Sequence, residues 1–257
     1  MLAKERQEII LNKINTEGIV SLTKLSEELH ASICTIRRDF EKLEKQNLCK
    51  RIHGGAVKVR NIERLSEETD LNMNLRKTMN IDEKKILCKK CADLIRDGDC
   101  VFVDGGTTFM YLTNYIQDKR VTIVTHNTLI SKKDSDLYTL YVLGGENNAK
   151  YQMNLGPMVL DYLNYFHFDK AFIGAAGFSL EDMSIYTAEI ETAKVKQMAM
   201  KKSNRNYLVV DSSKIGTYGF YTMANLLDLQ GLITTKKIEQ FHADVDLIVC
   251  DELESSI

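Results

Sequence analysis

Residues 32–57 read SICTIRRDFEKLEKQNLCKRIHGGAV, and this stretch decides how the front of the chain folds. Ser32 suits the N-cap of a helix that runs to about Lys45. Ile33, Ile36, Phe40 and Leu43 are spaced three, four and three apart, which draws one apolar stripe along that helix. At about 100° per residue, Thr35, Arg38 and Lys42 point away from the stripe, with Cys34 and Arg37 on its flank. Such a helix fits the major groove of DNA, where Arg pairs with guanine edges and Thr contacts a base or a thymine methyl. A solvated face with salt bridges to Asp39, Glu41 and Glu44 fits the same spacing. The following segment, NLCKRIHGGAVKV, reads as a helix stop, a basic strand, a Gly-Gly turn and a second strand. This hairpin wing carries Lys50, Arg51 and His53. Gly54 and Gly55 permit positive φ and close approach to a phosphate.

Two helices precede this stretch. Residues 3–15 (AKERQEIILNKIN) are amphipathic, with Ile9, Ile10 and Ile14 as apolar markers, and Thr16, Glu17 and Gly18 end the helix. Ser21 suits the cap of a shorter helix carrying Leu22, Leu25 and Leu29. Three helices and a wing make a winged helix-turn-helix. Charge agrees with that reading. Residues 1–60 hold 12 basic and 8 acidic side chains, whereas the remainder holds 22 and 28. The overall charge of −2 therefore hides a basic front end on an acidic body, and only the front end suits a polyanion.

The run Ser32, Thr35-Ile36-Arg37-Arg38-Asp39, Leu43-Glu44, then Arg51-x-His53-Gly54-Gly55-Ala56 resembles the DeoR family of transcription regulators. The resemblance places Thr35 to Arg38 on a recognition helix and His53 to Gly55 on the wing. Cys34 and Phe40 stand where other residues are usual. It implies DNA contacts from Ser32, Thr35, Arg37, Arg38, Lys42, Arg51, His53 and Gly54.

Residues 58–80 are polar and weakly periodic, which suits a linker leading into a helix. The expected division is a DNA-binding domain over 1–60, a linker over 61–79 and an α/β domain over 80–257. In the last, apolar strands alternate with helical stretches, the pattern of a mostly parallel open sheet. The expected strands are Cys100–Val103, Val121–Thr125, Thr139–Leu143, Lys170–Ile173, Tyr207–Val210, Leu232–Ile233 and Leu247–Val249. Five are followed by the small or polar runs DGGTT, THNT, GGE, GAAG and DSSK. Ligands of open parallel sheets bind beyond the carboxyl ends of strands, so these tips imply a pocket.

The sharpest tip is VFVDGGTTFMYL. Asp104 ends a buried strand, Gly105 and Gly106 turn the chain, and Thr107 and Thr108 open a helix whose free N–H groups suit a phosphate. A tight turn with a Thr cap fits too, and the segment is neither a Walker motif nor a dinucleotide fingerprint. Thr125 and Asn127 offer groups for sugar hydroxyls, Gly144 and Gly145 permit close approach, and Lys214 supplies a cation. Glu191 and Lys196 fit either a helix near the site or two solvated charges. This half also resembles the DeoR family, whose sensor domain is similar to ribose-phosphate isomerases and is taken to bind phosphorylated sugars. The matching residues are Asp104, Gly106, Thr107, Thr108, Thr125, Asn127, Gly144, Gly145, Asp211, Ser213 and Lys214. Gly105 replaces the more usual Ser, and His126 interrupts the usual Thr-Asn pair.

The N-terminus lacks the uninterrupted apolar run of a signal peptide, and no later run reaches membrane-spanning length. A cytoplasmic protein without membrane contact is expected, with six reduced cysteines. Cys88 and Cys91 make one C-x-x-C, but no second pair or nearby histidines accompany it, so the two read as small hydrophobes. No metal, cofactor or catalytic residue is expected. The expected partners are double-stranded operator DNA, a phosphorylated sugar and further copies of the chain, as a dimer or tetramer. One competing reading is a sugar-phosphate isomerase with Asp104 or Glu191 as general base, although an isomerase has no need of the front end. The other is an activator, which has the same sequence signature.

Overall fold

In the computed structural model Ser21 and Ser32 both stand where a helix begins. The structure describes residues 3–17, 19–45, 48–52, 54–58, 64–65, 73–238, 241 and 245–250. The chain divides into two units, Met1–Glu63 and Arg64–Ile257.

The first unit runs α1 (Ala3–Glu17), β1 (Ile19–Ser21), α2 (Leu22–Glu28), α3 (Ile33–Lys45), β2 (Cys49–Ile52) and β3 (Gly55–Lys58). Ser21 accepts from the Lys24 N–H, and Ser32 Oγ accepts from the Thr35 N–H at 3.1 Å. Ile10 and Ile14 of α1, Leu25 of α2, and Ile36, Phe40 and Leu43 of α3 form one buried core. Each such side chain contributes about 1.5–3 kcal/mol on burial. The wing strands pair antiparallel, and β1 adds a third strand in the order β1-β3-β2. β1 was not expected, because three residues carry no readable alternation.

Two expectations change here. Ile33 belongs to the stripe by spacing, yet it is 45% exposed, because at the first residue of α3 the stripe has run past the core. Gly54 turns the chain at φ +83°, but Gly55 already pairs with Ile52. A Cβ on Gly55 would lie 2.1 Å from the Val20 carbonyl oxygen, so this glycine admits β1 rather than a phosphate.

The second unit runs β4 (Arg64–Leu65), α4 (Met73–Thr78), α5 (Ile81–Leu94), β5 (Cys100–Val103), a 3-10 helix (Thr108–Asn114), β6 (Thr122–Thr125), β7 (Thr139–Val142), β8 (Glu146–Asn148) and β9 (Met153–Leu155). It continues with α6 (Pro157–Leu163), β10 (Lys170–Ile173), β11 (Gly177–Phe178), β12 (Ser184–Thr187), α7 (Ile190–Lys201) and β13 (Asn206–Val210). The last strands are β14 (Tyr218–Gly219), β15 (Tyr221–Asn225), β16 (Gly231–Thr234) and β17 (Asp246–Val249). The seven strands expected from sequence form one parallel sheet in the order β17-β16-β13-β10-β5-β6-β7, each bounded within a residue of its expected ends. The segment expected as a linker holds α4, and its β4 pairs with β14.

Side chains alternate across the sheet. Val101, Val103, Ile123, Phe172, Val209 and Ile233 share one core with Leu87, Cys88 and Cys91 of α5 and with Phe109 and Leu112. Phe102, Val124, Ala171, Ile173, Leu208 and Leu232 share the other with α6 and α7. The C-x-x-C is thus core packing, and burial pushes the Cys88 thiol up to about 12, far from a reactive thiolate. From β5 the chain moves one way to β6 and β7, then returns to the other side as β10. The strand order therefore reverses between β5 and β10, and the crevice beyond their carboxyl ends is where an open sheet holds a ligand.

Candidate functional site

On α3 the buried stripe leaves Ser32, Cys34, Arg37, Arg38 and Lys42 exposed, with Thr35 partly so. Asp39, weighed above as a surface partner, is buried and bound by Arg6 Nε at 2.6 Å and Gln7 Nε2 at 2.8 Å. That pair ties α1 to α3 and leaves the neighbouring arginines outward. Among the described residues no ion pair engages Arg37, Arg38 or Lys42. The Ser32 and Thr35 hydroxyls lie 2.8 Å apart. Arg51 is held by the acids of α3, with Nε 2.6 Å from Glu44 and Nη1 2.9 Å from Glu41, so a phosphate must compete with two carboxylates for it. Arg37, Phe40, Glu44, Arg51, Gly54 and Gly55 line a groove between α3 and the wing. His53 lies outside the described residues.

The second unit carries a two-part cleft at the switch point. Gly105, Gly106 and Thr108 after β5, Gly174 to Ala176 after β10, Glu189, Thr192 and Lys196 of α7, and Tyr151 and Met153 line the first part, about 470 Å³. Thr107, Thr108, Met79, Asn80, Lys84, Asp211, Ser213, Lys214 and Thr217 line the second, about 670 Å³. Arg76 and Thr108 belong to both.

Asp104 sits beneath the first part, fully buried. Its Oδ2 accepts from Lys196 Nζ at 2.9 Å and the Gly174 N–H at 2.8 Å, and its Oδ1 accepts from the Gly105 N–H at 2.7 Å. Burial alone would raise its pKa. The charge of Lys196 and the hydrogen bond and charge of His126 outweigh that and hold the carboxyl below its ordinary value. His126 Nδ1 lies 2.9 Å from the Asn154 carbonyl oxygen and Nε2 lies 3.1 Å from the Gly105 nitrogen. In the neutral ring Nδ1–H donates and Nε2 accepts. A protonated ring would also donate to Asp104 Oδ1, 3.2 Å away. Glu189 caps α7, accepting from the N–H groups of Glu191 and Thr192 at 2.9 and 2.7 Å.

The second part is cationic. Lys84 is buried, and its ammonium donates to the carbonyls of Arg76 and Met79. Burial is the main cause that lowers its pKa, Asp211 opposes it, and Arg76 and Lys214 add to it. Asn80, in the left-handed region at φ +50°, donates to Asp211 Oδ1 at 3.1 Å. Arg76, Lys84 and Lys214 line this part of the cleft together with the carboxylate of Asp211.

The expected site residues separate accordingly. Gly105, Gly106, Thr107, Thr108 and Lys214 come together in the cleft, above Asp104. The expected helix after them is present as a seven-residue 3-10 helix, Thr108–Asn114, with Thr107 at its N-cap. Thr125 and Asn127 turn inward. The Thr125 hydroxyl donates to the Val103 carbonyl at 2.6 Å, and Asn127 Nδ2 donates to the Gly106 carbonyl at 2.8 Å, so they shape the glycine turn. Gly144 and Gly145 line neither part; a Cβ on Gly145 would meet the Leu155 carbonyl oxygen at 2.6 Å. Lys196 is a buried site residue, whereas Glu191 is half-buried and pairs with Lys194 at 2.5 Å. Sequence reading missed Arg76, Lys84 and Glu189. The first two lie in or just after a polar, aperiodic segment and carried no signal.

Comparison with known proteins agrees in both units. The model of the DeoR-like helix-turn-helix domain matches residues 6–61, and that of the DeoR C terminal sensor domain matches residues 79–236. A lactose phosphotransferase system repressor from Staphylococcus epidermidis is 32% identical, over 95% of this chain and 98% of its own length. The HTH-type transcriptional regulator FruR from Bacillus subtilis is 32% identical, over 91% of this chain and 92% of its own. Among solved structures, ribose 5-phosphate isomerase A from Neisseria gonorrhoeae shows 15% identity over 55% of this chain and 56% of that one, with a TM-score of 0.36. The relatives matched along nearly their whole length are regulators, which sets the isomerase reading aside. A helix-turn-helix whose arginines face outward and a sensor domain with a cleft at its switch point are the two halves of one design, and the chain belongs to the DeoR family of transcription regulators.

Proposed function

We propose that this regulator represses a sugar-metabolism operon, and that a phosphorylated sugar or related metabolite in the cleft alters its grip on operator DNA. The proposed division is residues 1–60 for DNA and 80–257 for the effector, with 61–79 joining them and lending Arg76 and Met79 to the effector cleft, in a cytoplasmic homo-oligomer, a dimer or tetramer. Two copies set their α3 helices in successive major grooves. Arg38 and Thr35 read bases; Ser32, Arg37, Lys42, Arg51, His53 and Gly54 hold the backbone. That several DeoR relatives are named lactose phosphotransferase repressors supports a sugar-linked role.

The observation that carries the effector reading is the division of the cleft. Arg76, Lys84 and Lys214 give one part the charge a phosphate needs. Thr108 and the carboxylate of Glu189, which keeps acceptor capacity beyond the two N–H groups it caps, give the other part polar groups for sugar hydroxyls. A ligand shifts DNA affinity only through its different affinities for two conformations. A thermal-shift screen of pentose and hexose phosphates tests this reading. A ligand at 100 times its Kd stabilises by about 2.7 kcal/mol, whereas the unphosphorylated sugars leave the transition in place. A screen in which no phosphorylated sugar moves the transition refutes it.

A further inference from the structure

Ile33 is 45% exposed at the first position of α3, although its spacing belongs to the apolar stripe. The core is complete without it, filled from α3 by Ile36, Phe40 and Leu43. Its neighbours Cys34, Arg37 and Arg38 are exposed as well. The Ser32–Thr35 hydroxyl pair and the Ser32 cap fix the first helical turn around it. A β-branched side chain in a helix has one strongly preferred χ1, and helix side chains lean toward the N-terminus. Ile33 is therefore a stiff apolar knob at the leading end of the helix, set among cations.

A lone exposed apolar residue needs no explanation in itself. Its position here supplies one. In helix-turn-helix proteins the N-terminal residues of the recognition helix contact base edges. The apolar group that the major groove offers is the thymine 5-methyl. We propose that Ile33 is a specificity-determining residue that packs against the 5-methyl group of a thymine in each operator half-site. This rests on the placement of α3 in the major groove proposed above.

The test starts by selecting duplexes from a random pool with the full-length protein. Each thymine of the recovered half-site is then replaced in turn by deoxyuridine, which removes only the methyl, and affinities are read by fluorescence anisotropy. At one thymine the wild type loses about 3- to 5-fold, the value of one methyl-sized apolar contact. Ile33→Ala is weaker by a similar factor on the thymine duplex and indifferent to deoxyuridine at that step. Alanine favours helix and the site is exposed, so the thermal transition of the variant stays with the wild type. Equal sensitivity of wild type and variant at every thymine overturns the inference while leaving DNA binding intact. So does a change in subunit assembly on Ile33→Ala without any change in methyl sensitivity. A pool that yields no enriched duplex overturns the DNA-binding reading and this inference with it.

Discussion

The backbone N–H of Gly105 lies 3.1 Å from Nε2 of His126, and a Cβ on Gly105 would stand 3.0 Å from that same nitrogen. The two positions at which the cleft departs from the resembled pattern are thus in contact, and the glycine makes room for the Met153 side chain and for the imidazole. Gly105→Ser in this background crowds His126 and Met153 and costs about 1–3 kcal/mol of stability. With His126→Ala also present, that cost falls by more than about 0.5 kcal/mol in a double-mutant cycle. Additive costs in chemical denaturation contradict the coupling.

Asp104 and Lys196 form a buried pair, so removing one member strands the other. Asp104→Asn costs about 3–5 kcal/mol. The pH dependence follows from the depressed pKa of the folded carboxyl. Its contribution is present above the unfolded value near 3.8 and disappears as pH falls through the lower folded value. Wild-type stability measured from pH 6 down to pH 2 therefore declines more steeply than that of Asp104→Asn. Parallel curves argue against Asp104 as the titrating group.

Gly55 packs its backbone against β1 with no room for a methyl. Gly55→Ala forces β1 and β3 apart and destabilises the first unit by about 1–3 kcal/mol. Duplex binding weakens, and the thermal response of the second unit to phosphorylated sugars persists. Undiminished duplex binding by this variant removes β1 from the support of the wing.

Lys214 faces the second part of the cleft together with Arg76 and Lys84. A charge-assisted hydrogen bond to phosphate is worth about 1.5–3 kcal/mol, so Lys214→Ala weakens phosphorylated-sugar binding by roughly 10- to 100-fold. Calorimetric titration of both proteins checks this. Equal affinities exclude Lys214 as a phosphate partner.

The parallel sheet was legible because strands buried on both faces read as unbroken apolar runs such as Cys100–Val103 and Ala171–Ile173. β8, β9, β11 and β12 have two to four residues each and lie in small antiparallel sheets, too short for a pattern to declare itself. Within the site, residue type located polar groups but not their direction. Thr125 and Asn127 carry the right chemistry and spend it on the Val103 and Gly106 carbonyls. Arg76 reaches the cleft through α4, whose polar sequence gave no helical period. Ile33 is the reverse case, since its period was right and its position at the helix end left it exposed.

In the proposed function a phosphorylated sugar bound in the second unit changes how the first holds DNA. Fluorescence anisotropy of a selected operator duplex, titrated with the protein across a salt series with and without a phosphorylated sugar that stabilises it, tests this directly. Affinity is expected to fall steeply as salt rises, Arg38→Ala to cost about 1–3 kcal/mol, and the sugar phosphate to shift affinity by at least about 5-fold. Operator affinity that stays the same when the cleft is saturated would contradict that function.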